Sequence, residues 1–302
     1  MASLKNIKLK ILSYKKTGTV THAMEAVSAV KMRKGQERAL SGRAYAAAAL
    51  TILERLSGTA DVARHPLMQE RQGKTAFIIV TSDKGLAGAL NSGVIRRVEQ
   101  EMRERTLNKE NTEFLAFGRR GAEYFKSRGY TVSAERTNIS DNVSESEVME
   151  LTRTLATRED IGAVFVGYQN FVSTFEQQPT VRQIVPIKPE TMREIVAGIR
   201  PARGKYAPQQ GTDVVRPAAY TIEPDADSVL DVLLPRLLNI AVFHALLEAK
   251  ASEHSARMVA MKSATDKAKE MAGNLTRKFN KVRQAGITRE VSEITSGMEA
   301  MR

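Results

Sequence analysis

The 302-residue sequence predicts an α/β domain inserted between two chain ends that pair as a long antiparallel two-helix coiled coil. Three observations carry this. Arg236 to Arg302 contains no proline, and within it Met258, Met261, Thr265, Ala268, Ala272, Leu275, Phe279, Val282 and Gly286 recur at alternating spacings of three and four. That is the a/d seam two helices need to wind around each other. Met1 to Ser57 also lacks proline, and between the two ends the rhythm changes to short β-branched runs separated by amphipathic stretches.

At the N-terminus, Leu4, Ile7, Ile11 and Tyr14 form a helical stripe that Val20, Met24, Val27 and Val30 resume. Ala44 to Leu50 is a strong helix former. Residues 1–57 and 225–302 are therefore expected to form the two helices of the coiled coil, and residues 74–224 the inserted domain. Thr75–Thr81 is a short buried strand by composition. Asn91–Arg105 is an amphipathic helix, with Asn91-Ser92 as its expected N-cap. Glu113–Phe117 reads as a strand, and Arg120–Ser127 as a helix closed by Gly129. Tyr130–Ser133 reads as a third strand. Ser144–Ala156 reads as a helix opened by a capping box of Ser144 and Glu147. Ile161–Tyr168 is a fourth strand, and Phe171–Phe175 with Thr180–Pro186 reads as a hairpin. Alternating strands and helices imply a mostly parallel, doubly wound, Rossmann-like sheet. Arg200–Pro217, with three prolines and two glycines, reads as a flexible insert. Ala218–Ile222 is a further candidate strand, and the C-terminal helix follows Pro224.

Composition narrows the function. The absence of cysteine excludes disulfides, thiol catalysis, iron–sulfur clusters and cysteine-ligated zinc. No apolar run is expected to reach the length of a membrane span, and the N-terminus lacks the apolar core of a secretory signal. The net charge of +12 is uneven, with +8 on residues 1–57 and +2 on residues 225–302. A basic N-terminal helix implies an acidic partner: nucleic acid, anionic lipid or acidic protein loops.

Sites for chemistry are few. Thr81–Ser92 lies between a strand and a helix, where phosphate loops sit, but its spacing is neither GxGxxG nor GxxxxGK[ST]; a tight connection is the expectation. Gly73-Lys74-Thr75 resembles a P-loop tail, yet it precedes a strand and Met68 stands where the first glycine belongs. His22, His65, His244 and His254 have no ligand spacing. Glu248, Glu253 and His254 are expected as polar-face or interhelical hydrogen-bonding groups. No nucleophile elbow is present. No catalytic residue, cofactor-binding residue or metal ligand is assigned.

Several blocks resemble the gamma subunit family of F-type ATP synthases: Leu234-PRLLNIAVFHALLEAKASEHSARMVAMKSATDKA, Asn280-KVRQAGITREVSEI, Thr21-HAMEAVSAVKMRKGQ, Thr81-SDKGLAGALNS and Gly167-YQNFVS. His22 stands where the family usually has lysine, and Gly35 where it has alanine. Lys84, Ala87 and Ala89 replace the common Arg, Cys and Gly. The resemblance implies a non-catalytic rotor shaft. Its expected partners are a ring of alpha and beta subunits around the shaft, the epsilon subunit and the membrane c-ring, with no nucleic acid and no membrane span of its own. It implies peripheral attachment on the cytoplasmic side of a bacterial plasma membrane, and rotation that couples proton flow to ATP synthesis. It also implies that Lys31, Met32, Arg33 and Lys34 meet acidic loops of the catalytic subunits, and that Arg283, Gln284 and Thr288 form a hydrogen-bonding contact near the shaft tip. Two other readings remain at this stage. A basic coiled-coil nucleic-acid-binding protein would show salt-sensitive DNA binding. A nucleotide-dependent enzyme would bind nucleotide through residues 74–224 alone.

Overall fold

The computed structural model describes residues 4–41, 43–56, 65–198, 223 and 225–301. In chain order they form α1 (Leu4–Ser41), α2 (Arg43–Leu56), β1 (Lys74–Val80), α3 (Leu90–Glu104), β2 (Thr112–Phe117), α4 (Arg119–Ser127), β3 (Thr131–Arg136), α5 (Glu145–Thr157), β4 (Ile161–Phe171), β5 (Gln177–Val185), α6 (Pro189–Gly198) and α7 (Ala226–Ala300). The chain divides into two compact units: a helical unit, Met1–Ser28 with Met258–Arg302, and an α/β unit, Ala29–Arg257. The predicted insert Arg200–Pro217 and the candidate strand Ala218–Ile222 lie outside the described residues.

In the α/β unit one five-stranded sheet runs β3-β2-β1-β4-β5. The first four strands are parallel, and β5 pairs antiparallel with β4. Successive side chains of a strand point to opposite faces, and β1 divides accordingly. Phe77 and Ile79 join Val94, Val98 and Phe125 of α3 and α4 in one apolar cluster. Ala76, Ile78 and Val80 join Leu53 of α2, Leu151 of α5 and Leu237, Leu238 and Ala241 of α7 in the other. Both faces are thus covered, which is why these strands read as continuous apolar runs. The capping box at Ser144 and Glu147 is present, and Gly129 has the left-handed φ of +77° expected after α4.

Four expectations need correction. The hairpin is β4 against β5, with Val172–Glu176 as its turn; β4 runs on to Phe171 because Asn170 and Phe171 still pair with Gln178 and Gln177. Helix α6 went unread, having little pattern of its own; its Met192 enters the larger core cluster. Asn91 does not cap α3: the N-cap is Ala89 without a side-chain bond, and Asn91 is spent on the loop described below. Helix α7 does contain an 18-residue stretch apolar enough to cross a membrane, with a mean hydropathy of 1.7, of which 56% is buried. Its apolar character is that of a core helix, since Leu230, Leu234, Leu237, Leu238, Val242 and Leu246 all lie in the core beneath the sheet.

In the helical unit α1 and α7 run antiparallel: Gly18 faces Ala268, and three residues on Thr21 meets Thr265, three residues back. On α7 the expected seam holds as far as Phe279; beyond it Val282 is 38% exposed and an added Cβ at Gly286 would meet nothing within 4 Å. Met261, Thr265, Ala268 and Ala272 are buried, and Met258, Leu275 and Phe279 are half-buried. On α1 the first part of the expected stripe holds, with Ile7 buried and Ile11 half-buried, and Met24 is also half-buried, but from Gly18 on the rest of the register differs. Gly18, Thr21 and Ser28 are buried, while Val20, Val27 and Val30 are 58%, 55% and 56% exposed. Close packing selected the small residues for the interface, and the valines face outward.

Candidate functional site

The basic segment Lys31–Lys34 belongs to the α/β unit. Along α1 its buried face is Met32, Gly35 and Ala39. An added Cβ at Gly35 would lie 3.5 Å from Ala251 of α7. Lys31, Arg33 and Lys34 are exposed. Met32 is not on that surface: it is 6% exposed and packs inward, so its place among the contact residues rests on its neighbours.

Lys31 is also engaged within the chain. Its Nζ lies 2.6 Å from Asp141 Oδ2 in the segment between β3 and α5. His254 Nε2, from α7, meets the other oxygen of the same carboxylate at 2.8 Å. Arg38 donates to the backbone carbonyl of Asp141 at 2.8 Å, and Lys250 to that of Ile139 at 3.1 Å. Burial pushes the Asp141 carboxyl up, but the hydrogen bonds from Lys31 and His254 outweigh it and hold the group at about 2. Burial lowers the pKa of His254, so its ring meets Asp141 as a neutral donor. Asp141 carries no motif, and sequence reasoning missed it.

Beyond β1, the loop Thr81–Ser92 spends its polar groups on itself. Ser82 N–H donates to Asn91 Oδ1 at 2.9 Å, Asn91 Nδ2 to Ser82 Oγ at 2.8 Å, and Ser82 Oγ to the Lys84 carbonyl at 2.6 Å. Gly121 N–H donates to Thr81 Oγ1 at 2.9 Å, and Arg119 N–H to Asp83 Oδ1 at 3.0 Å. Gly118 takes φ +98°, and a Cβ there would stand 2.0 Å from the Thr81 carbonyl oxygen, so only glycine fits. These bonds make the tight strand–helix connection that the spacing implied. Leu86 at its apex is 61% exposed.

Several polar residues in the N-terminal half of α7 are buried. Glu253 pairs with Arg257 at 2.7 Å, and Arg257 reaches the Gly85 carbonyl at 3.4 Å. Ser252 donates to the Gln169 carbonyl at 3.0 Å. Glu248 and His244 lie 3.7 Å apart, each 5% exposed. Burial pushes the Glu248 carboxyl up to about 8, against the opposing pull of Arg182 and a hydrogen bond with Tyr168. Burial, aided by the Arg182 cation, pulls His244 down to about 3. Both groups are therefore neutral near pH 7. Neither Tyr168 nor Arg182 stood out in the sequence.

In the helical unit, Arg283, Gln284 and Thr288 are exposed on α7 beyond the seam. Thr288 donates to the Gln284 carbonyl at 3.0 Å, a local back-bond within the helix. The structure brings these three together on one stretch of helix, and places Lys31–Lys34 in the other unit.

The chain is thus a doubly wound α/β domain, its phosphate-loop position filled by internal hydrogen bonds, inserted in sequence between two helical ends that pair. Comparisons with known proteins assign its family. The ATP synthase family model matches residues 3–301. The ATP synthase gamma chain of Pelotomaculum thermopropionicum is 36% identical over 305 residues, covering 100% of both chains. A chain of the Tetrahymena thermophila mitochondrial ATP synthase central stalk and c-ring matches with TM-score 0.59 at 21% identity, over 81% of this chain and 99% of that one. A chain of the Euglena gracilis mitochondrial ATP synthase matches with TM-score 0.66 at 15% identity, over 99% and 94%. This chain belongs to the ATP synthase gamma chain family.

Proposed function

We propose that this chain is the central rotor shaft of an F-type ATP synthase, a non-catalytic subunit that couples rotation of a membrane c-ring to the conformational cycle of the catalytic subunits. Family membership over the whole chain supports the role, and one structural observation carries it. The paired segments of α1 and α7 differ in length and sequence and so lack rotational symmetry. An asymmetric element inside a ring of equivalent neighbours favours a different conformation in each of them, which is what coupling requires.

In this reading alpha and beta subunits surround the helices, and the α/β domain meets epsilon and the c-ring. Residues 1–57 and 225–302 act as the shaft and 74–224 as its base. Lys31, Arg33 and Lys34 offer cations to acidic loops of the ring, with Met32 packing beneath them. Arg283, Gln284 and Thr288 make the contact near the tip. Arg283 offers a planar fork to a carboxylate, and Gln284 adds a neutral amide. The complex sits on the cytoplasmic face of a bacterial plasma membrane, and proton flow drives it.

The test is Arg283→Ala with Gln284→Ala in the assembled complex. The expected result is turnover slowed several-fold while one copy of this chain still purifies with three copies each of two larger ATP-binding subunits. Wild-type rates of synthesis and hydrolysis in that variant would remove the tip from the coupling contact.

A further inference from the structure

The β3–α5 segment has no regular structure, yet four side chains from two helices hold it. Lys31 and Arg38 stand seven residues apart on α1, two turns along one face, and both reach Asp141, one at the carboxylate and one at the backbone. Lys250 and His254 stand four apart on α7; one reaches Ile139 and the other the Asp141 carboxylate. Asp141 is therefore the point at which α1, α7 and the sheet's connecting segment are tied to one another.

An isolated surface ion pair would mean little. This one differs because its second arm is His254, whose side chain is only 6% exposed. Each carboxylate oxygen is committed to a different helix. A shear between the sheet and either helix has to break one of these bonds.

We propose that Asp141 is a positioning residue for rotary coupling: it fixes the Lys31–Lys34 segment of α1, and with it α7, to the α/β domain, so that force delivered to the domain turns both helices together. The inference rests on the coupling role given above to the basic segment. It differs from that role in acting inside the chain, not on a partner.

The experiment uses the whole ATP synthase complex in membrane vesicles and reads ATP-driven proton pumping alongside ATP hydrolysis. Asp141→Asn is expected to lower pumping per ATP hydrolysed by about two- to five-fold, the effect a lost ion pair of ordinary strength would have. Asp141→Glu is expected to restore most of it. Lys31→Ala should reproduce the loss, and adding it to Asp141→Asn should lower the ratio no further. His254→Gln serves where Asp141→Asn fails to assemble, since it removes the other arm of the Asp141 carboxylate and lies outside the contact segment. Arg33→Ala separates the two ideas, because Arg33 is exposed and makes no bond to Asp141 among the described residues. If Arg33→Ala lowers the ratio and Asp141→Asn does not, the positioning role is overturned and the contact role of the segment stands. If no variant lowers it, both fall. If Asp141→Asn reduces hydrolysis and pumping in equal proportion, Asp141 serves folding alone and the proposal is overturned.

Discussion

Thr21 and Thr265 meet hydroxyl to hydroxyl at 2.6 Å across the helix pair, both buried. Each also bonds within its own helix, Thr21 to the Thr17 carbonyl at 3.0 Å and Thr265 to the Met261 carbonyl at 2.8 Å. Thr21 Oγ1 also lies 3.2 Å from the Gly18 carbonyl, so two hydroxyl protons face four acceptors: one hydroxyl donates across the seam and the other donates backward. Thr21→Val should destabilise by about 0.5–1.5 kcal/mol, the net worth of one such bond. The double variant with Thr265→Val should cost little more than the worse single one. A double-mutant cycle on the denaturation midpoint checks this, and strict additivity would show that the two hydroxyls do not interact.

Gly35 lies in the interior of α1, where glycine weakens a helix. Its added Cβ would sit 3.5 Å from Ala251, an ordinary contact distance. Gly35→Ala should therefore stabilise by about 0.5–1 kcal/mol. Gly35→Leu should destabilise by about 1–3 kcal/mol because the helices cannot part without strain. Thermal melts of the two variants should move in opposite directions.

Glu113 is 5% exposed, and Arg158 grips both its oxygens at 2.6 and 3.0 Å. Removing the guanidinium leaves a buried charge with only a weak bond from Ser133 at 3.3 Å. Arg158→Ala should cost about 3 kcal/mol, and adding Glu113→Gln should recover part of that. Denaturant unfolding of the three variants measures both.

Glu248 and His244 set opposing pH slopes. The Glu248 carboxyl, raised from 4.5 to about 8, contributes stability that is full below 4.5 and lost as pH rises through 8. The His244 ring, lowered from 6.5 to about 3, contributes stability that is full above 6.5 and lost as pH falls through 3. Between 4.5 and 6.5 the two slopes cancel. The pair should therefore give a plateau there and a decline above it, at most about 1.4 kcal/mol per pH unit. Below 4.5 only the His244 slope remains, so Glu248→Gln should abolish the alkaline decline and make the acid one begin at 6.5. An unchanged alkaline limb would show that Glu248 ionises normally.

The sequence carried most of the secondary structure because burial on both faces of a parallel sheet writes itself as apolar runs, as in Ala76–Val80, and because the α7 seam repeats strictly. It misled on α1, where hydrophobicity pointed to Val20, Val27 and Val30 while steric closeness put Gly18, Thr21 and Ser28 inside. Periodicity ranks residues by greasiness; a tight helix pair ranks them by size. Position in sequence also hid the relation between Lys31 and Asp141, because a tie across 110 residues leaves no local pattern. For the same reason Met32, flanked by cations, looked exposed when it is buried.

Helix α7 runs without interruption from the seam at Ala272 past Arg283, Gln284 and Thr288. A continuous helix is an angular ruler: each residue advances direction by about 100°. One residue inserted between Phe279 and Arg283 would leave the buried and half-buried seam residues up to Phe279 in register and turn Arg283, Gln284 and Thr288 by about 100°. If Arg283, Gln284 and Thr288 make the proposed contact, the number of residues between seam and contact is a phase setting. In the proposed rotor, a single-codon insertion there would be a timing error, measurable as a shifted dwell angle even where every side chain keeps its chemistry.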